Sequence, residues 1–209
     1  MTRAMVWTLL ALVVAAASAL VYAGARALAC WSLARGRRFA WMGILPCALA
    51  AVIFHTQVWL HDAFALAAVL FAGALLSGLI NSPGALVAFL TTGAVVDVIS
   101  TYFGPTRWLL HRAQHGRWAP LIQFLSISIP LRGQIVSVIG IPDLMFLAVC
   151  TMVMRRLGCP EASAFLVPLA GLLAALLVGL LSGFTPAIPF LAIAAGIYLH
   201  VSPPRSRDR

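Results

Sequence analysis

The chain has 209 residues, 63% of them apolar and only 9% charged, with a mean hydropathy of +1.03. A soluble domain is about a quarter charged and just under half apolar, so this composition excludes a water-soluble globular protein and predicts an integral membrane protein. The net charge of +9 comes from arginine alone; the arginines cluster between apolar segments, as the positive-inside rule expects, and no basic domain, aromatic-interleaved patch or glycine-rich phosphate loop points to nucleic acid.

Charges, prolines and glycines divide the chain into apolar segments at 5–29, 40–60, 63–80, 84–102, 135–154, 162–182 and 187–202. Each has a length close to that needed to span a bilayer, about 17–25 residues. The first segment carries Arg3 and small residues near Ala17–Ala19, like a signal peptide. Its apolar run is longer than a signal peptide's apolar region, so it reads as a retained helix. Short connections follow at "ARGRRF" (34–39), "HD" (61–62), "NSPG" (81–84) and "RRLGCPE" (155–161). Residues 103–134 are the exception. They hold Arg107, Arg112, Arg117 and Arg132, and Pro130 and Arg132 make the apolar piece 119–131 a poor spanning helix. An interfacial helix or strand is predicted there.

The expected fold is an all-α, polytopic transmembrane bundle of about seven helices, with that interfacial segment inside it. It divides into a three-helix part (1–83), a four-helix part (84–202) and a basic tail (203–209). The protein is expected in the membrane as a multi-pass chain, in the cell (inner) membrane if prokaryotic. An outside N-terminus and inside C-terminus place Arg35, Arg37, Arg38, Arg155, Arg156, Arg205, Arg207 and Arg209 inside, against Arg3, Arg107, Arg112, Arg117 and Arg132 outside. That distribution favours this orientation.

Five acidic residues are present. Asp62, Glu161 and Asp208 fall in connections or the tail and read as solvated. Asp97, in "LTTGAVVDVISTYFG", and Asp143, in "VIGIPDLMFLAVC", fall inside apolar segments. A carboxylate at such depth costs about 2.5–3.5 kcal/mol on insertion scales, and such residues are usually functional. Asp97 lies near the end of its segment and Asp143 near the start of the next one. At about 1.5 Å per residue both sit at similar depth below the same membrane face, on antiparallel segments. A carboxyl pair sharing one proton can activate a water and protonate a carbonyl. The same pair could instead line a proton or ion path, or be structural. A third feature lies by parity on the same face: "GFTPAIPF", where Pro186 and Pro189 either prevent a regular helix start or mark a plain proline-containing one. Irregular backbone at membrane depth is tolerated where it lines a wet cavity.

In this order, Asp97 in "VVDVIS", Asp143 in "IGIPDLMF" and the "PAIP" of Pro186–Pro189 resemble the presenilin and signal peptide peptidase family of intramembrane aspartyl proteases. That family has one helix Asp, commonly after Tyr, a second in Gly-x-Gly-Asp, and a Pro-Ala-Leu motif opening the last helix. Phe146, three residues past the second Asp, also matches. The similarity covers about residues 84–202. Three positions depart: Val96 replaces the Tyr, Pro142 the second Gly, and Ile188 the Leu. Prepilin peptidases share the Gly-x-Gly-Asp but usually carry a Lys where this chain has Met145, and lack the Pro-Ala-Leu element.

The resemblance implies an intramembrane aspartic endopeptidase that cleaves transmembrane helices or signal peptides. Asp97 and Asp143 would be catalytic, and Gly140, Pro186, Ala187, Ile188 and Pro189 would bind substrate. It implies no metal and no organic cofactor. The partners would be transmembrane-helix substrates and the lipid bilayer, with a homo-oligomer allowed. The alternatives are a proton- or cation-coupled transporter using the same carboxylates, or an inactive member that binds helices.

Other groupings carry less. His111 and His115 have helical metal-ligand spacing but no HExxH and no nearby acid, and read with Trp108 and Trp118 as an interfacial helix. His55, His61 and His200 read as interfacial polar residues. Cys30, Cys47, Cys150 and Cys159 form no CxxC pair and read as small buried hydrophobes. Ser77-Gly78 and Ser182-Gly183 lack the preceding Gly of a serine-protease elbow.

Overall fold

The computed structural model describes residues 3–104, 125–131, 134–182 and 185–202. Among them are six helices and one β-hairpin: α1 (Arg3–Ile53), α2 (Val58–Ser77), α3 (Pro83–Tyr102), β1 (Ser126–Leu131), β2 (Gln134–Gly140), α4 (Ile141–Arg156), α5 (Glu161–Ser182) and α6 (Ile188–Val201). The all-helical reading holds apart from the hairpin. Three helical stretches are long and apolar enough to cross a membrane: Val58–Ser77, Pro83–Tyr102 and Glu161–Gly179.

The first two apolar segments are not separated by a loop at 34–39, as the sequence suggested. The helix runs through them, because arginine is a good helix former and Gly36 alone is too weak to break it. This helix is bent. A methyl group on Gly24 would strike Leu70, and one on Gly43 would strike Phe71. Nineteen residues of straight helix cover about 28 Å, more than two adjacent side chains can bridge, so α1 changes direction between Gly24 and Gly43. Its apolar arms are Thr8–Gly24 and Met42–Ile53.

The break after α1 also differs from the expected one. The connection is 54–57, and His61 and Asp62 lie inside α2. His61 is buried rather than interfacial, and its Nδ1 lies 3.0 Å from the Ala51 carbonyl oxygen. Ala51 is in the last turn of α1, where carbonyls lack helical partners; a side chain from α2 supplies one. α3 begins as its sequence indicates: the Ser82 hydroxyl accepts the Ala85 N–H at 3.1 Å, and Pro83 occupies the first turn.

The largest correction falls on the segment expected as a helix over 135–154. Residues 134–140, "QIVSVIG", form β2, paired antiparallel with β1. β-branched Ile and Val suit a strand, and Pro142 supplies a fixed φ for the first turn of a helix that starts at Ile141. The register pairs Ser126 with Gly140 and Leu131 with Gln134, with an irregularity between Ile127 and Ser128. The Ile141 N–H donates to the Leu125 carbonyl at 3.0 Å, tying the helix start to the hairpin. So the predicted interfacial piece is a strand over 126–131, while His111, His115 and the tryptophans near them lie outside the described residues.

α4 is the central helix. Leu144 and every residue from Leu147 to Met154 are buried, as for a helix covered all round, and it touches each of the other five helices. Its flanks approach closely through glycine: a methyl on Gly73 of α2 would lie 2.7 Å from the Ala148 Cβ. At the far end of α4, the Arg156 guanidinium donates to the carbonyl and hydroxyl of Ser77, and Glu161 lies 3.2 Å from Arg155 and 3.9 Å from Arg26. The ends of α2 and α4, the start of α5 and the middle of α1 therefore share one end of the molecule.

Candidate active site

The other end of α4 carries Asp143. Gly140 is the N-cap residue and Asp143 the third residue of the helix. From that position a carboxylate reaches back to the N-cap backbone, and the Asp143 carboxylate accepts the Gly140 N–H. A methyl on Gly140 would lie 3.0 Å from Asp143 Oδ2, so glycine leaves this carboxylate its room. Asp143 is thus at a strand–helix junction, in the first turn, and not eight residues into a helix. Pro142 fits this junction, since the first turn needs no N–H from it.

Asp97 lies five residues before the end of α3. Its Oδ2 accepts the Ile188 N–H at 3.1 Å, and its carboxylate also takes the Ala187 N–H and the Thr101 hydroxyl. Ala187 is the N-cap of α6 and has no side chain that can cap. Pro189, in the first turn of α6, has no N–H at all, so the helix expected to start irregularly here has a plain proline-containing start, which proline's fixed φ suits. Asp97 therefore caps a helix other than its own, at the end where the macrodipole favours an anion.

Pro186 and Ile188 are buried, and Ala187 and Pro189 partly so. Asp97 and Asp143 are both partly buried and near enough to feel one another's charge. The structure brings Asp97, Asp143, Gly140 and the 186–189 segment to one place.

Two residues that sequence reasoning passed over set this geometry. Gly93 is one turn before Asp97. A methyl there would overlap the Phe146 ring and lie 3.4 Å from Ile188 Cγ2, so α3, α4 and α6 meet at this glycine. Phe89, a turn earlier, stacks on Phe146 with ring centroids 5.0 Å apart. Phe146, which the sequence marks only through the family resemblance, is the spacer between the two aspartate helices. The usable signal was a glycine four residues before Asp97, on the same helix face.

Among the described residues no group of three or more His, Cys, Asp or Glu side chains is placed to hold a metal. The donor set at the site is two carboxylates. No family model, curated protein or solved structure matches the chain.

Proposed function

We propose that the protein is a multi-pass integral membrane protein that cleaves transmembrane helices as an aspartic endopeptidase. The observation that carries this reading is that Asp97 and Asp143 lie near enough to feel one another's charge, beside the N-terminus of α6. In the reading, the two arms of α1 and the helices α2 to α6 make seven crossings, with the aspartate end of α4 outside and its arginine end inside.

The chemistry needs one carboxylate ionised and one protonated. The ionised group takes a proton from water as the water oxygen bonds to the scissile carbonyl carbon. The protonated group gives its proton to the carbonyl oxygen. Collapse of the resulting diol breaks the C–N bond, and a carboxyl proton passes to the leaving amine. An α-helix shields its carbonyls, so the substrate must unwind locally. Gly140 and the Pro186–Pro189 segment border the space where an extended substrate would lie.

The test uses purified protein in proteoliposomes with a generic transmembrane-helix substrate, read by mass spectrometry of the products. Wild type cleaves; Asp97→Asn and Asp143→Asn do not. Absence of cleavage by wild type, with a proton or cation flux that needs both aspartates, overturns the reading in favour of a coupled transporter. Absence of both, with helix binding retained, makes the protein an inactive helix-binding member.

A further inference from the structure

Toward the end of α4 remote from the aspartates, three sulfur-bearing side chains lie in one buried cluster. Cys150 and Met154 are one helical turn apart, and their sulfurs lie 3.7 Å from one another. The helix then ends in a motif that recruits a third. The Gly158 N–H donates to the Arg155 carbonyl at 3.1 Å, the Cys159 N–H donates to the Met154 carbonyl at 3.0 Å, and Gly158 has a φ of 85°. This is a Schellman ending, in which the side chain after the left-handed glycine packs on the residue five positions earlier. Here those residues are Cys159 and Met154. Cys150, Met154 and Cys159 belong to one buried cluster, with 0%, 0% and 7% exposure. The cysteines are free thiols.

We propose that Cys150, Met154 and Cys159 form a binding site for a soft monovalent cation, Cu(I). Thiolate and thioether sulfur select Cu(I) over harder ions. With a metal–sulfur bond of about 2.3 Å, the 3.7 Å separation of Cys150 and Met154 corresponds to an angle of about 107° at the metal, reached without moving either sulfur. Zinc is disfavoured, because no third Cys, His, Asp or Glu among the described residues joins the two cysteines and thioether is a poor zinc ligand. The carbonyl end of α4 also favours a cation. Cys159, just after the helix, is the least buried of the three. Binding forms a copper–thiolate bond and releases one thiol proton for each thiolate made, with no change in oxidation state. The site is independent of the aspartate pair.

The experiment uses the full chain in detergent micelles under anaerobic, reducing conditions, in a Cys30→Ser/Cys47→Ser background. Cu(I) is supplied as its acetonitrile complex and competed against bicinchoninate, with copper–sulfur bonding read by X-ray absorption. The background protein holds one Cu(I) with sulfur-only ligation. Cys150→Ala and Cys159→Ala each weaken binding by more than the roughly 10–100-fold that losing an outer partner of a ligand costs. Met154→Leu, which keeps the volume, weakens it less and removes one sulfur from the absorption spectrum. Circular dichroism checks that each variant is folded. Equal Cu(I) affinity in the background protein and its folded Cys150→Ala/Cys159→Ala variant overturns the proposal, as does nitrogen or oxygen ligation in the bound state.

Discussion

Replacing Gly93 with alanine adds one methyl group at the point where α3, α4 and α6 meet. That methyl falls on the edge of the Phe146 ring. An unrestrained phenylalanine would swing aside at little cost, but this ring is stacked on Phe89 at 5.0 Å. It must either break that stack, worth about 0.5–1.5 kcal/mol, or push α3 away from α4. Overpacking of this kind costs about 1–3 kcal/mol, so Gly93→Ala should destabilise the fold by that amount. Unfolding in mixed micelles of increasing dodecyl sulfate content, followed by tryptophan fluorescence, measures it. The decisive comparison is a double-mutant cycle with Phe146→Leu. The smaller side chain vacates the space, so Gly93→Ala should cost at least about 1 kcal/mol less in the Phe146→Leu background than in wild type, a coupling typical of residues in contact. Cleavage should fall in Gly93→Ala and recover partly in the double variant. Strictly additive stabilities would refute the claim that this contact sets the spacing of the aspartate helices.

Asp97→Asn and Asp143→Asn should each lower cleavage by at least about a hundredfold, and the double variant should be no worse than either, because the groups act as a unit; initial rates on the helix substrate test this. Asp97→Asn keeps an oxygen for the Ile188 N–H, whereas Asp97→Ala removes the α6 cap and should cost a further ~1 kcal/mol of stability. Gly140→Ala places a methyl 3.0 Å from Asp143 Oδ2; cleavage should drop, measured as initial rates on the helix substrate. His61→Phe leaves the Ala51 carbonyl without its side-chain partner and should destabilise by about 1–3 kcal/mol, with the aspartate site unaffected.

Apolar length alone located α3, α5 and α6 to within a residue, while α2 starts five residues earlier than expected, and two carboxylates in apolar surroundings marked the candidate site. Hydropathy could not separate β2 from α4. "QIVSVIG" and "IPDLMFLAVC" are both apolar, and a short apolar run is ambiguous between strand and helix, so the two merged into one apparent span. The pairing with β1 that decides the matter is a tertiary contact. Likewise the break expected at 34–39 fails because its residues tolerate helix. Nothing near His61 in sequence reveals the Ala51 carbonyl it reaches. Gly93 owes its importance to Phe146, which lies on another helix.

The shortness of α4 bears on how the chain enters a membrane. Sixteen residues of helix measure about 24 Å, less than a hydrocarbon core of about 30 Å. In the membrane reading, the remaining depth is made up by β2, whose backbone groups cannot enter lipid unpaired. Their partners lie on β1, so α4 is not an autonomous inserting unit that a translocon could release alone. The hairpin must close first, or at the same moment, and neighbouring helices must shelter it. Biogenesis would then proceed by committing residues 126–156 to the bilayer as one block, with Asp143 carried in already bonded to the backbone of Gly140. A chain cut within β1 should stall at that stage and expose α4 to quality-control proteolysis, while α2 and α3 remain integrated.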